Sequence, residues 1–463
     1  MKNNSSRRNF LLGSAAAGAA GLGLTSFGGL DPFMRLAQAS DPDAPDLHFI
    51  FCYFSGGWDI LVGLDPRDPA VFTPQAVPET LIEPGYHLLV DNRMGMSTDP
   101  YISPEGVLMG PYMGDLGAIH SDRLQIVRGI AMETVSHGVG RRRFITGRAP
   151  VGLNARGSSG ATWLAGLLGQ DNLIPNLAIR MESYNRDLPA TASAIRVNSV
   201  PDLLRALGPS SAMLPEFKEE QVDAFMADAA ACPKARYSEF WQQAEASRRG
   251  ATDLIRGDLA TYFEFDENTP YMEAVRAHYS ASGNNNLTFA ERASATAVEA
   301  VTLGISRAVS INIAGGFDTH GGNVWSQVQG PRQEAGWNLI ARMVEMLDSR
   351  QYGESSESWL DHTVIMAFSE FSRTPRLNGT QGRDHHLTNA AALIGGPIRG
   401  GVAIGKSSDV GMGSVPTNLE TGMPDPGGHI IKPEHLHRSL LHMAGFEEDV
   451  ADLRVPYIPA MYR

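Results

Sequence analysis

Acids and histidines gather in four short clusters, three of them directly after apolar runs. Gly56-Gly57-Trp58-Asp59 follows Leu47 to Phe54, and Gly315-Gly316-Phe317-Asp318-Thr319-His320 follows Val309 to Ile313. Ser369-Glu370-Phe371 closes the run Thr363 to Phe368, and Asp384-His385-His386 follows the loop Asn378 to Arg383. Carboxylate with imidazole suits Zn²⁺, Mn²⁺ or Fe²⁺, whereas carboxylate with water suits Mg²⁺ or Ca²⁺. One or two such ions could polarise an ester oxygen and lower the pKa of water. Any one of these residues could instead brace a loop or cap a helix through its side chain. Four recurrences at strand ends favour a metal set drawn from Asp59, Asp318, His320, Glu370, Asp384 and His385. A fifth element, Ser136-His137-Gly138 leading to Arg141, offers a helix N-terminus with a cation, an arrangement that accepts anions. A solvated basic face is the plain alternative.

These clusters need a scaffold that brings strand ends together. The runs Leu47–Phe54, Leu124–Ile130, Leu177–Met181, Val309–Ile313 and Thr363–Phe368 are mostly apolar, the first nearly continuous, as strands buried on both faces are. Helical spacing lies between them, as in Gln333–Leu347, and Lys432-Pro433-Glu434 opens a last helix that Gly445 closes. Alternating strands and helices predict an α/β fold, a mostly parallel sheet with helices on both faces. In such sheets ligands collect beyond the carboxyl ends of the strands. The stretch from about 212 to 305, rich in Ala, Glu, Gln and Arg, is expected to be a helical insertion or cap on one domain spanning 40–463.

The chain has 463 residues, 43% hydrophobic and 19% charged, enough for a large core and too apolar for a disordered protein. The formal charge is −13, and four bases against one acid in residues 1–39 leave the remainder more acidic still. An acidic body argues against a nucleic-acid partner. Arg7-Arg8 precede a mildly apolar Ala/Gly-rich stretch, and Ala37-Gln38-Ala39 supplies a small-x-small cleavage pattern. Residues 1–39 are therefore expected to be a twin-arginine signal peptide, engaging that export machinery and delivering a mature chain from Ser40 to the periplasm or outside. An uncleaved N-terminal anchor is the alternative. With no other long apolar stretch, stable membrane insertion after cleavage is not expected. The two cysteines, Cys52 and Cys232, give no sign of a disulfide framework, and Cys52 reads as a small core residue.

Several motifs also carry a family likeness. His137 to Arg148 resembles the sulfatase signature Cys/Ser-x-Pro-x-Arg-x-x-x-x-Thr-Gly-Arg, with Arg141 on its arginine and Thr146-Gly147-Arg148 on its end. Val364 to Ser372 resembles the strand-Ser-Asp-His-Gly element of the alkaline phosphatase superfamily, with Glu370 on the Asp and Phe371 on the His. The whole mature chain resembles the exported family known as domain of unknown function 1501. The likeness rests on Gly56-Gly57-Trp58-Asp59, Ser136-His137, Phe317-Asp318-Thr319-His320, Ser369-Glu370-Phe371-Ser372-Arg373-Thr374, Asn378 to His385 and Gly395-Gly396-Pro397-Ile398-Arg399-Gly400-Gly401. Ser372 and His386 stand where that family usually has glycine.

That resemblance implies an alkaline-phosphatase-like core and hydrolysis of phosphate or sulfate esters, on a small molecule or a glycan, with divalent metal ions as cofactors. It implies Asp59 and Glu370 on one metal, and Asp318, His320 and His385 on a second. His137 takes the nucleophile position, as ligand, general base or covalent acceptor, with Ser136 beside it as another nucleophile. Formylglycine chemistry is not supported, because neither Cys nor Ser stands at the aligned position. Arg141 would hold the substrate anion. The alternative is a non-catalytic, metal-bearing envelope protein that kept the fold and lost the nucleophile.

Overall fold

A computed structural model describes residues 46–463 apart from 91–96, 208–214, much of 231–258, 282, 284–285 and 322–323. The expected leader lies outside the described residues, as do parts of the expected insertion. Among the described residues, no helix is long and apolar enough to cross a membrane.

Eight strands form the central sheet: β1 (His48–Ser55), β2 (Leu124–Ala131), β3 (Asn176–Ile179), β4 (Ile195–Val197), β5 (Ala308–Gly315), β6 (Thr363–Phe368), β7 (Thr388–Ile394) and β8 (Val402–Ile404). Their order is β8-β2-β7-β6-β1-β5-β3-β4. β1 pairs in parallel with β5 and β6, while β7 runs antiparallel to its neighbours β2 and β6. The fold is α/β with a mostly parallel sheet. The reversal of β7 has a consequence for the site. β1, β5 and β6 end where β7 begins, so a loop preceding β7 meets loops that follow the others.

Helices cover both faces because side chains alternate along β1. Phe54 meets Trp337 of the helix α4 (Val324–Asp348), ring centroids 4.6 Å apart. On the other face Phe51 stacks on His437 of α5 (Pro433–Met443). On that same side, Phe144 of α1 (His137–Thr146) stacks on Phe368 at 4.4 Å. Also on this side lies α2 (Gly160–Leu168). Within the stretch expected as an insertion, Glu216–Ala230, Pro270–Tyr279 and α3 (Phe289–Thr302) are helical. α3 packs on β5 and α4, so this part of the stretch belongs to the layer on the sheet. Its reciprocal Thr288–Glu291 capping box satisfies two end groups of the helix, and its alanines fit the narrow space between sheet and α4.

α4 begins nine residues before Gln333 and contains Pro331. A proline inside a helix costs a hydrogen bond, and the turns around it are held by tertiary contacts. Trp325 and Gln329 both reach the loop after β1. Cys52 is buried, Cys232 is exposed, and both are free thiols.

Candidate metal centre

Three loops and one helix start bring the chemistry together at the carboxyl edge of the sheet. Asp318 and His320 come from the loop after β5, Glu370 from the end of β6, and His385 from the segment that leads into β7. His137 is the first residue of α1, behind the Ser136 cap. α1 can approach because Gly140 lies against the Glu370 backbone; a Cβ there would sit 2.4 Å from the Glu370 carbonyl oxygen. A two-residue ladder, Arg373 opposite His385 and Ser372 opposite His386, fixes the loop after β6 against the segment before β7.

Asp318 Oδ1 lies among three imidazole nitrogens. Asp318 Oδ1 lies 3.3 Å from His137 Nε2, 3.0 Å from His320 Nε2 and 3.3 Å from His385 Nε2. His320 Nε2 and His385 Nε2 are 2.9 Å apart. The ligand atoms of His137, Asp318 and His385 all fall within 4.8 Å of one another, a group that does not include His320. A first-row divalent ion with bonds of about 2.0–2.1 Å holds neighbouring donors roughly 3 Å apart, which the spacings around Asp318 Oδ1 match.

The far side of each imidazole decides its proton. His137 Nδ1 is 2.7 Å from Glu370 Oε1, His320 Nδ1 is 2.7 Å from Asp384 Oδ1, and His385 Nδ1 is 2.6 Å from the Val135 carbonyl oxygen. Each partner is an acceptor, so each Nδ1 carries a hydrogen and each Nε2 presents its lone pair to the cluster. His137 Nε2 is buried with no hydrogen-bond partner. Two lone pairs facing at 2.9 Å repel unless a cation lies between them, and a proton or a metal ion is what this arrangement accepts.

The carboxylates behave accordingly. Burial opposes the charge on Glu370, but hydrogen bonds from His137 outweigh it and hold its pKa below the ordinary value. In return, that bond raises His137 against its own burial. Burial likewise opposes the charge on Asp318, and the bond and positive charge of Arg373 outweigh it, holding the carboxyl well below the usual range. Desolvation pushes His385 down. In the metal-free protein, the His137–Glu370 pairing stabilises the fold fully below the ordinary histidine pKa. That share is lost as pH rises through the raised value. Replacing Glu370 with Gln should return the His137 pKa toward its ordinary value, followed by NMR titration of the histidine rings. An unshifted His137 would show that Glu370 does not control it.

Not every expected ligand faces the cluster. Asp59 is fully buried elsewhere: Oδ1 accepts from Leu61 N at 3.0 Å, and Oδ2 from Trp325 Nε1 at 2.6 Å, with Arg383 Nε 3.1 Å away. Its oxygens are so engaged, and the structure does not bring Asp59 to the converging atoms. Glu370 and Asp384 stand behind His137 and His320 and do not join the converging atoms. Glu370 also accepts from Gly56 N and Ser369 Oγ, and Asp384 from Asn378 Nδ2. Ser136 is exposed and makes no side-chain capping bond. Arg141 is paired with Glu182 at 2.6 Å, and Tyr184 donates to the other oxygen of that carboxylate.

The order of these loops can be set against known proteins. A family described as "Protein of unknown function (DUF1501)" matches residues 101–422. The chain belongs to the DUF1501 family. No curated protein sequence matches it. Among solved structures, the DUF1501 chain is similar to the crystal structure of Ps i-CgsB in complex with k-i-k-neocarrahexaose. That similarity has 10% identity and a TM-score of 0.38, over 90% of this chain and 76% of the other.

One site residue of the DUF1501 chain carried no assignment from sequence. Arg373 is buried, and its Nη2 donates to Asp318 Oδ1 at 2.8 Å. It lies in the Ser369–Thr374 motif, but an arginine three residues after a candidate ligand has no spacing signal of its own. The histidines outside the motifs stand apart, His437 donating to the Phe144 carbonyl and His362 pairing with Glu357.

Proposed function

We propose that this DUF1501 protein is an exported metal-dependent hydrolase of phosphate or sulfate esters, with one divalent ion held by His137, Asp318, His320 and His385. The observation that carries the reading is the convergence of imidazole lone pairs on one carboxylate oxygen, with every Nδ1 tied to an acceptor. Three nitrogens and one oxygen favour a borderline ion such as Zn²⁺, Fe²⁺ or Mn²⁺ over Mg²⁺ or Ca²⁺. Bound there, such an ion would supply Lewis acidity and a lowered pKa for water.

The chain's own groups would do the rest. Glu370, Asp384 and the Val135 carbonyl hold protons at Nδ1, which keeps the rings in one tautomer and orientation. Asp318 gives the site its negative charge. His137, at the position resembling the sulfatase nucleophile, serves here as a ligand, and water is the attacking group. Arg141 would meet a substrate sulfate or phosphate by exchanging Glu182 for it, one anion for another in the same fork. The ester class and this fork rest on the likeness to the sulfatase signature and the alkaline phosphatase superfamily. Export rests on Arg7-Arg8 and Ala37-Gln38-Ala39.

Elemental analysis tests the centre. Residues 40–463, exported folded and purified without chelator, should contain about one equivalent of a divalent metal. A chain that holds none, even after Zn²⁺ or Mn²⁺ is supplied, sinks the reading and leaves the clusters as loop braces.

A further inference from the structure

We infer that Arg373 is the positioning residue of this metal centre, fixing Asp318 as the other anchors fix the imidazoles. The inference rests on the proposal that the cluster holds a divalent ion. Each histidine donor has one outward partner: Glu370 for His137, Asp384 for His320, the Val135 carbonyl for His385. Asp318 is about half exposed on a Gly-rich loop, where a carboxylate rotates freely unless held. Its outward partner is Arg373.

Arg373 is built for holding. Its side chain is 0% exposed, with no solvent to compete for its donors. Nε donates to the Gly57 carbonyl at 2.8 Å, and Nη1 to the Arg383 carbonyl at 3.2 Å. Nη2 donates to the Gly56 carbonyl and to Asp318 Oδ1. One planar fork therefore joins the loop after β1, the loop after β5 and the segment before β7. Its backbone pairs with His385, and Gly56, whose carbonyl it holds, donates its own N–H to Glu370. The guanidinium thus touches the supports of several ligands, and its Nη1 also lies 3.5 Å from His320 Nε2 itself, without being a donor to the ion. Geometry matters here more than charge. A positive group beside Asp318 repels an incoming cation, so it earns its place only by holding the carboxylate where the imidazoles point. Lysine cannot reproduce this, because a compact ammonium lacks the fixed fork.

The test uses the mature protein with Arg373→Met and Arg373→Lys, Co²⁺ as the probe, and a chromophoric chelator as competitor. Losing an outer partner of a ligand lowers metal affinity by about 10- to 100-fold. Arg373→Met should fall in that range with a changed Co²⁺ visible spectrum, and Arg373→Lys should lie between it and wild type. Affinities within threefold of wild type and an unchanged spectrum would overturn the inference, even if the metal-free thermal midpoint drops, since that pattern marks a merely structural residue. If the methionine variant does not fold, the lysine variant decides by the same criteria. Wild-type protein that takes up no Co²⁺ overturns the metal centre itself, and this inference with it.

Discussion

Asp318→Ala should lower divalent-metal affinity by more than about 100-fold, beyond the range seen when only a partner of a ligand is lost. Asp318 Oδ1 is the atom shared by all three imidazoles, lying 3.0–3.3 Å from each Nε2. Without it the cluster keeps neutral nitrogens and gains an unneutralised Arg373 beside them, so both charge balance and geometry are lost. The fold should survive, because the carboxylate is half exposed on a loop. The variant is compared with wild type by chelator competition, with circular dichroism as the check on folding. Equal affinity in a folded variant would remove Asp318 from the centre. The pH dependence has two parts. Metal binding weakens as pH falls, because the imidazoles must be unprotonated to bind. In the metal-free protein, the depressed Asp318 pKa contributes stability above the ordinary carboxylate pKa. That contribution is lost only as pH falls through the lowered value, in strong acid.

The legible parts of the site are those written locally. β1, β2, β5 and β6 are mostly apolar runs, and the clusters after β1, β5 and β6 sit where a parallel sheet gathers its ligands. β7 escaped because Thr388–Ile394 opens on Thr-Asn and has three alanines, all but the threonine weak in strand propensity, and its pairing is settled by neighbours on both sides. Its reversal lets His385 arrive before a strand while Asp318 arrives after one. Asp59 shows the limit of spacing. It follows β1 as Asp318 follows β5, yet Trp325, 266 residues away, and Arg383 turn it into a buried anchor. Arg373 shows the same limit in reverse. Its role is set by the carbonyls of Gly56 and Gly57, more than 300 residues earlier, which no local pattern records. Glu370 and Asp384 were recognisable as site residues; their place behind the imidazoles depends on ring orientation, which sequence does not carry.

Arg383→Met should destabilise the protein by about 3–5 kcal/mol, the usual cost of leaving one member of a buried ion pair alone. Arg383 and Asp59 are both 0% exposed. The guanidinium also donates to the Thr374 and Pro84 carbonyls at 2.9 Å each and lies 4.5 Å over the Trp325 ring. Methionine fills comparable space but takes the guanidinium donors from those carbonyls and leaves the Asp59 charge without its counter-ion. Urea unfolding gives the difference, and a loss under about 1 kcal/mol would show that the pair is not the anchor described here. A double-mutant cycle separates pairing from packing. Asp59→Leu with Arg383→Met should cost clearly less than the two single changes together, because the second removes the charge the first leaves stranded. Simple addition would mean that each residue acts through its own contacts. Arg383 directly precedes Asp384 and His385, so the same anchor that stabilises the fold also sets where two site residues begin. Weakening it should loosen the metal centre as well as the protein, whereas Asp318→Ala should loosen the centre and leave the fold standing.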